Sequence, residues 1–431
     1  MKNSLSKSTE LSRRSFAAQS ASALLGIGLS SSSMRSALAL SQGSDLRQVA
    51  TAKRVIYLYM SGGMSHLDTF DVKPGSESMG PTEAINTSAD GVQISQYLPR
   101  LAKKAHHLAI INSMLSASGA HEQANYLMHT SYAQRGTIKH PAMGAWLLKF
   151  QDRMNPTLPG NVVIGGGSRH PGGGFFEGKF QPLAVNNPES GLQNVKSRFK
   201  DDDFEFRFRL SQELAGDFRE RYSGVKNVRA YSEMYDDAVT LMQSADLAAF
   251  DLTKEDAKVR DAYGRTSFGQ GCLLARRLVE NDVRFVEVTL GSWDTHTSNF
   301  VRTPQMCETL DQGFSALLED LEQRGLLEDT LVVLTSEFGR TPKINQNLGR
   351  DHFPQAFSSV MAGGGIVGGR RFGKSDKNGE NVVENAVSVF DFNASIGYAL
   401  GLPLDQILYS PTKRPFTVAG KGTPATALFS A

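Results

Sequence analysis

Thr335-Ser336-Glu337-Phe338-Gly339-Arg340-Thr341-Pro342, with Gly349-Arg350-Asp351-His352 close behind, sets an acidic residue just past an apolar run and a histidine soon after it. The run itself, Leu331-Val332-Val333-Leu334, is short and rich in β-branched residues, which predicts a strand buried on both faces with Glu337 at its carboxyl end. Open α/β sheets bind ligands at that end. Working outward, Val283 to Leu290 is a second strand candidate, and it delivers Gly291-Ser292-Trp293-Asp294-Thr295-His296 to the same kind of position. Arg54 to Met60 is a third; it breaks at Ser61-Gly62-Gly63 into a loop carrying His66, Asp68 and Asp71. Leu108 to Asn112 is a fourth, followed by a helix from Ala120 to about Ala133. Val162 to Ile164 is a further strand candidate, ending in a glycine-rich loop whose spacing does not suit a phosphate cradle. Helical patterns over 304–324 and 387–400 and a mostly helical insertion over about 204–281 complete the chain. Strands alternating with helices predict an α/β fold, a central, mostly parallel sheet flanked by helices.

Composition fits this. The 431 residues are 40% hydrophobic, enough for a full core, and 46 basic residues against 44 acidic ones leave a net charge of +2. Such a balance argues against a nucleic-acid partner. The two cysteines, Cys272 and Cys307, follow no metal or redox spacing and read as structural thiols. The first forty residues read as targeting. Ser12-Arg13-Arg14-Ser15-Phe16 precedes a modestly apolar segment, and Ala37-Leu38-Ala39 supplies a cleavage pattern. This resembles a twin-arginine export signal, which implies a periplasmic or extracytoplasmic destination, and the segment is too short and too rich in Ser, Gly and Ala to span a bilayer. The expected organisation is a signal over 1–40 and one domain over 41–431, with no transmembrane segment in the mature chain.

Nine histidines are present, and His66, His121, His296 and His352 fall in loops or at helix starts after predicted strands. His106 and His107 precede a strand and His129 lies on a helix face, where ordinary roles are expected, while His140 and His170 stand before prolines in turn-like sequence and could line a pocket or face water.

Taken together, Ser61 to Asp71, Trp293-Asp294-Thr295-His296, Ser336 to Pro342, Gly349-Arg350-Asp351-His352 and Phe390 to Ser395 resemble an uncharacterised, export-signal-bearing family within the alkaline phosphatase and sulfatase superfamily. The resemblance implies an ester hydrolase with a one- or two-metal site, acting on a small-molecule or polysaccharide phosphate or sulfate ester. It implies Asp294, His296, Glu337 and His352 as ligands of a divalent metal (zinc, manganese, iron or calcium), with Asp68 as the first-strand ligand and Asp71 as its rival. It puts His121 where the superfamily has its nucleophile, with Ser116 and Ser118 just before it, and Phe338 where a second ligand histidine is usual. Arg340 and Arg350 are candidate oxyanion clamps, because guanidinium offers a bidentate fork to phosphate or sulfate, and equally candidates for tying loop carboxylates such as Asp351 or Glu337 together. A binding protein that has lost the nucleophile is the alternative, and the oligomeric state is left open.

Overall fold

The computed structural model describes residues 50–195 and 197–429, so the targeting segment expected over 1–40 lies outside the described residues. A nine-stranded sheet forms the centre: β1 (Arg54–Met60), β2 (Leu108–Leu115), β3 (Asn161–Ile164), β4 (Leu183–Val185), β5 (Phe285–Leu290), β6 (Thr330–Thr335), β7 (Phe357–Ala362), β8 (Arg370–Phe372) and β9 (Val387–Ser388). Their order is β8-β2-β7-β6-β1-β5-β3-β4, with β9 beside β2. β1 pairs in parallel with β5 on one side and β6 on the other, Tyr57 lying between Glu287 and Val333. Only β7 runs against its neighbours.

The alternation of β1 shows why the sheet is covered on both faces. Ile56, Leu58 and Met60 enter one core with helices α5 (Ser267–Glu280) and α6 (Asn299–Gln323), whereas Val55, Tyr57 and Tyr59 enter another with α1 (His121–Thr130), α2 (Met143–Gln151) and α7 (Val389–Ala399). Cys272 and Cys307 are buried and free in the first of these cores.

Three sequence expectations change. β7 reads Phe357-Ser358-Ser359-Val360-Met361-Ala362, and its paired serines conceal a strand that is nonetheless buried throughout. Those hydroxyls are tolerated because Ser359 shares a hydrogen bond with Thr335 at 2.7 Å and Ser358 donates to Asn112 at 3.1 Å. The helix read from Pro304 begins upstream of it, at Asn299. Finally, the helical stretch read as one insertion divides: α3 (Asp201–Arg221) and α4 (Lys226–Gln243) carry exposed apolar residues such as Leu214 and Tyr231, while α5 packs against β5 as part of the main core. Among the described residues no helix is long and apolar enough to cross a membrane.

Candidate metal centre

Because β1, β2, β5 and β6 are parallel, their carboxyl ends meet at one edge, and the loops that follow them bring together residues far apart in sequence. β2 leads to His121, the first residue of α1; β5 leads to Asp294 and His296; β6 leads to Glu337. His352 returns to the same place through a short antiparallel ribbon in which it pairs with Arg340. The loops after β1 and β5 touch closely: Gly62 has φ +117°, and a Cβ there would lie 2.6 Å from the Asp294 nitrogen. Gly62→Ala is therefore expected to lower stability by more than about 1 kcal/mol and to weaken metal retention, read by urea melts and elemental analysis. An unchanged variant would mean that this approach does not position Asp294.

The hydrogen bonds on the far side of each imidazole fix which nitrogen faces inward. His121 Nδ1 lies 2.8 Å from Glu337 Oε1, His296 Nδ1 lies 2.8 Å from Asp351 Oδ1, and His352 Nδ1 lies 2.7 Å from the Gly119 carbonyl. Carboxylate and carbonyl oxygens only accept, so each Nδ1 carries the proton and each Nε2 of the neutral ring presents a lone pair. All three Nε2 atoms converge on Asp294, at 3.4 Å for His121, 3.3 Å for His296 and 3.4 Å for His352. His296 Nε2 and His352 Nε2 are 2.9 Å apart, a separation at which two lone pairs repel unless a proton or a metal ion lies between them. Ligand atoms of His121, Asp294 and His352 all fall within 4.8 Å of one another. Imidazoles held through Nδ1 by carboxylates or carbonyls and aimed through Nε2 at one carboxylate are the arrangement of a metal centre with its orienting partners. Three nitrogens and one carboxylate suit zinc, manganese or iron; calcium, which takes six or more oxygens, does not fit this donor set.

Charges support the same geometry. Burial alone would raise the Asp294 carboxyl, but the Arg340 guanidinium, 2.5 Å away, outweighs it and holds the value at about 2, so the group stays ionised. His121 is raised above its ordinary value, chiefly by its hydrogen bond to Glu337, and burial lowers His352.

The expected site residues thus separate into two layers. His121, Asp294 and His352 form one compact group, and His296 adjoins it through Asp294 and His352. Glu337 stands behind His121 instead: it is buried, and it also accepts from the Gly62 nitrogen at 2.9 Å and the Tyr59 hydroxyl at 3.0 Å, which leaves it an orienting group. Arg340 is fully buried and donates to the Gly62, Gly63 and Arg350 carbonyls as well as to Asp294, so it braces the loops and has no fork free for an oxyanion. Arg350 is likewise buried; it binds both oxygens of Asp68 and the carbonyls of Ser78, Thr341 and Pro342. Asp68 also accepts from Ser65, Thr82 and Asn299, and Asp71 from Asn112, Lys73 and Ser375. The structure therefore gives the first-strand loop a structural ion pair in place of a ligand. Phe338, fully buried, lies with its ring 5.0 Å from that of His121 and 4.6 Å from that of His352.

A second cluster escapes sequence reading. His129 Nε2 and His170 Nε2 lie 3.1 and 3.5 Å from Glu287 Oε2, all three side chains being buried. Its signal was a lone charged residue, Glu287, inside the β5 strand Phe285–Leu290. Here the far nitrogens differ from those of the first cluster. His129 Nδ1 donates to the Asn125 carbonyl, but His170 Nδ1 accepts from the Gly172 nitrogen at 3.0 Å, so His170 must present Nε2–H to Glu287. One proton on His129 satisfies this group. Burial disfavours the His129 cation, yet the Glu287 charge and hydrogen bond outweigh it and raise the value; burial likewise works to raise Glu287, and His129 then His170 bring it down. His170 is pushed down to about 4, chiefly by burial. The sign follows: His129, raised above 6.5, adds stability that fades as pH rises through its folded value, and Glu287, lowered below 4.5, adds stability that fades as pH falls through its own. His170, lowered from 6.5 to about 4, adds stability that fades as pH falls below 6.5, so urea melts should show the cluster stabilising most near pH 6.5, and His129→Gln should flatten the alkaline limb. An unaltered limb in that variant would show that His129 is not the titrating group.

The fold and the site define an α/β protein with a histidine and carboxylate centre at the carboxyl edge of its sheet. By sequence, the chain belongs to a family of proteins of unknown function, DUF1501, which matches residues 52–429. No curated protein matches it. Among solved structures it is similar to a lipoteichoic acid synthase from Listeria monocytogenes, with 11% identity, a TM-score of 0.39, and 90% of this chain and 79% of that one covered. It is also similar to a sulfatase from Pseudoalteromonas sp., with 12% identity, a TM-score of 0.38, and 90% and 75% covered. A protein of the alkaline phosphatase superfamily from Vibrio parahaemolyticus gives 10% identity, a TM-score of 0.36, and 83% and 68% covered.

Proposed function

We propose that this protein is an exported, metal-dependent hydrolase that cleaves a phosphate or sulfate ester at the centre formed by His121, Asp294, His296 and His352. The observation that carries the reading is the convergence of three imidazole lone pairs on one ionised carboxylate, with two of them facing each other at 2.9 Å. When bound, a divalent cation supplies Lewis-acid charge that polarises an ester oxygen and acidifies water. The chain's own residues prepare that place. Glu337, Asp351 and the Gly119 carbonyl hold the three rings in the tautomer that points Nε2 inward, and Arg340 keeps Asp294 ionised. Tyr59 and the Gly62 nitrogen occupy Glu337 so that it stays oriented toward His121. With both nitrogens of His121 committed in this way, it serves as a ligand rather than as the attacking group.

Elemental analysis of the purified, mature chain, with the same sample assayed on aryl phosphate and aryl sulfate, tests the reading. About one zinc, manganese or iron per chain together with turnover is expected; no bound metal would end it. Metal without turnover on any ester would instead make the protein a binding member of its family, a reading favoured by Phe338, which packs against His121 and His352 where the resemblance expects a second ligand histidine.

A further inference from the structure

A cavity of about 990 Å³ is lined by His121 and Glu337 of the candidate centre and by Arg135, Lys139 and Arg169. That volume lies at the upper end for a small-molecule site and is more than one ester group needs. Arg135, Lys139 and Arg169 are exposed, and none forms an ion pair among the described residues. The wall's own exposed acid, Glu122, accepts from Gln134 at 2.8 Å. A backbone bridge between Arg135 and Ile138 ties the turn that carries Arg135 and Lys139. In a chain with a net charge of only +2, three unpaired cations against one exposed carboxylate, Glu122, are a local excess of positive charge in this cleft. They are not needed to neutralise the protein itself, and the two arginines closest to the centre, Arg340 and Arg350, have their donors committed internally.

From this division of charge, resting on the ester-hydrolase reading of the centre, we propose that the cleft takes a substrate bearing several anionic groups. The ester to be cleaved lies at the metal centre, and further phosphate or sulfate groups of the same molecule lie along Arg135, Lys139 and Arg169. The internal commitment of Arg340 and Arg350 is what gives the cleft wall this role: charge recognition sits away from the reacting group, where it selects the body of the substrate.

The test is calorimetric binding to chelator-treated protein, so that neither metal nor turnover enters the result. The probes are sucrose octasulfate and inositol hexakisphosphate, with sucrose and inositol as neutral controls. The expected result is binding of a charged probe and not of its neutral control, weakened by added salt. In the triple variant Arg135→Gln, Lys139→Gln, Arg169→Gln the affinity should fall roughly tenfold or more, the sum of three exposed charge contacts worth a few-fold each. The tighter probe then identifies sulfate or phosphate. Absence of binding, or equal binding by the triple variant with its circular dichroism unchanged, overturns the proposal. Turnover of an aryl ester by a protein that ignores both polyanions would leave the hydrolase standing and this proposal refuted; polyanion binding by a protein that retains no metal would do the reverse.

Discussion

His352→Ala is expected to bring bound divalent metal down to background in elemental analysis and to abolish ester turnover, while the urea midpoint stays close to that of the parent chain. The ring is one of the converging donors, with its Nε2 2.9 Å from that of His296, and it sits on a short ribbon at the sheet edge outside both main cores. Loop-borne ligands of this kind add little to the packing that holds a fold together. Glu337→Gln should behave differently, because Glu337 orients His121 and is not itself among the converging atoms. The amide keeps one acceptor for the His121 and Gly62 donors but turns its NH₂ toward the Tyr59 and Ser336 hydroxyls. Loss of such an orienting partner costs roughly 10- to 100-fold in metal affinity. The two variants are thus distinguished by a metal titration: His352→Ala shows no saturable site, and Glu337→Gln shows a weakened one. If both retained metal as tightly as the parent, the centre would be misassigned; if both lost it outright, Glu337 would be a ligand after all.

The largest effect on stability is expected from Asp68→Ala. Asp68 and Arg350 are both fully buried and bonded at 2.8 Å, and the substitution leaves a guanidinium in the interior without its carboxylate. Breaking one half of a buried pair costs about 3–5 kcal/mol. Ser65, Thr82 and Asn299 would lose their acceptor as well. The consequence reaches the centre indirectly, because the Arg350 nitrogen is bonded to the Thr295 carbonyl and the next residue, Asp351, orients His296. Urea denaturation should therefore show a large fall in midpoint, while the folded fraction still binds metal at the parent's stoichiometry. A variant that melts normally and lacks metal would return Asp68 to the ligand set.

The two aspartates of the first loop show where sequence reading runs out. Asp68 and Asp71 follow a strand in the way a ligand would, and spacing alone cannot tell a carboxylate facing a site from one folded back onto a buried arginine. That Arg350 lies 282 positions away in sequence, so only the closed structure reveals the pair. The same limit hid His129, His170 and Glu287, whose contact spans up to 158 positions, and whose separate settings on a helix, in a turn and in a strand gave each an ordinary explanation. β7 was lost for a local reason: its two serines interrupt the apolar run, and the groups that satisfy them, the Thr335 hydroxyl and the Asn112 amide oxygen, belong to other strands.

What the sequence determined by itself is the parallel sheet and the edge at which function sits. Apolar β-branched runs alternating with amphipathic helices admit few other packings, and Asp294 and His296 could be singled out because residues just past the ends of parallel strands cluster at one edge, whereas His352 was named from the family resemblance. What only the tertiary structure decided is the part each polar group plays there. Whether a carboxylate binds metal, orients a ring or neutralises an arginine depends on which atoms lie within about 3 Å of it, and those neighbours come from loops whose meeting is set by the whole fold rather than by any one segment.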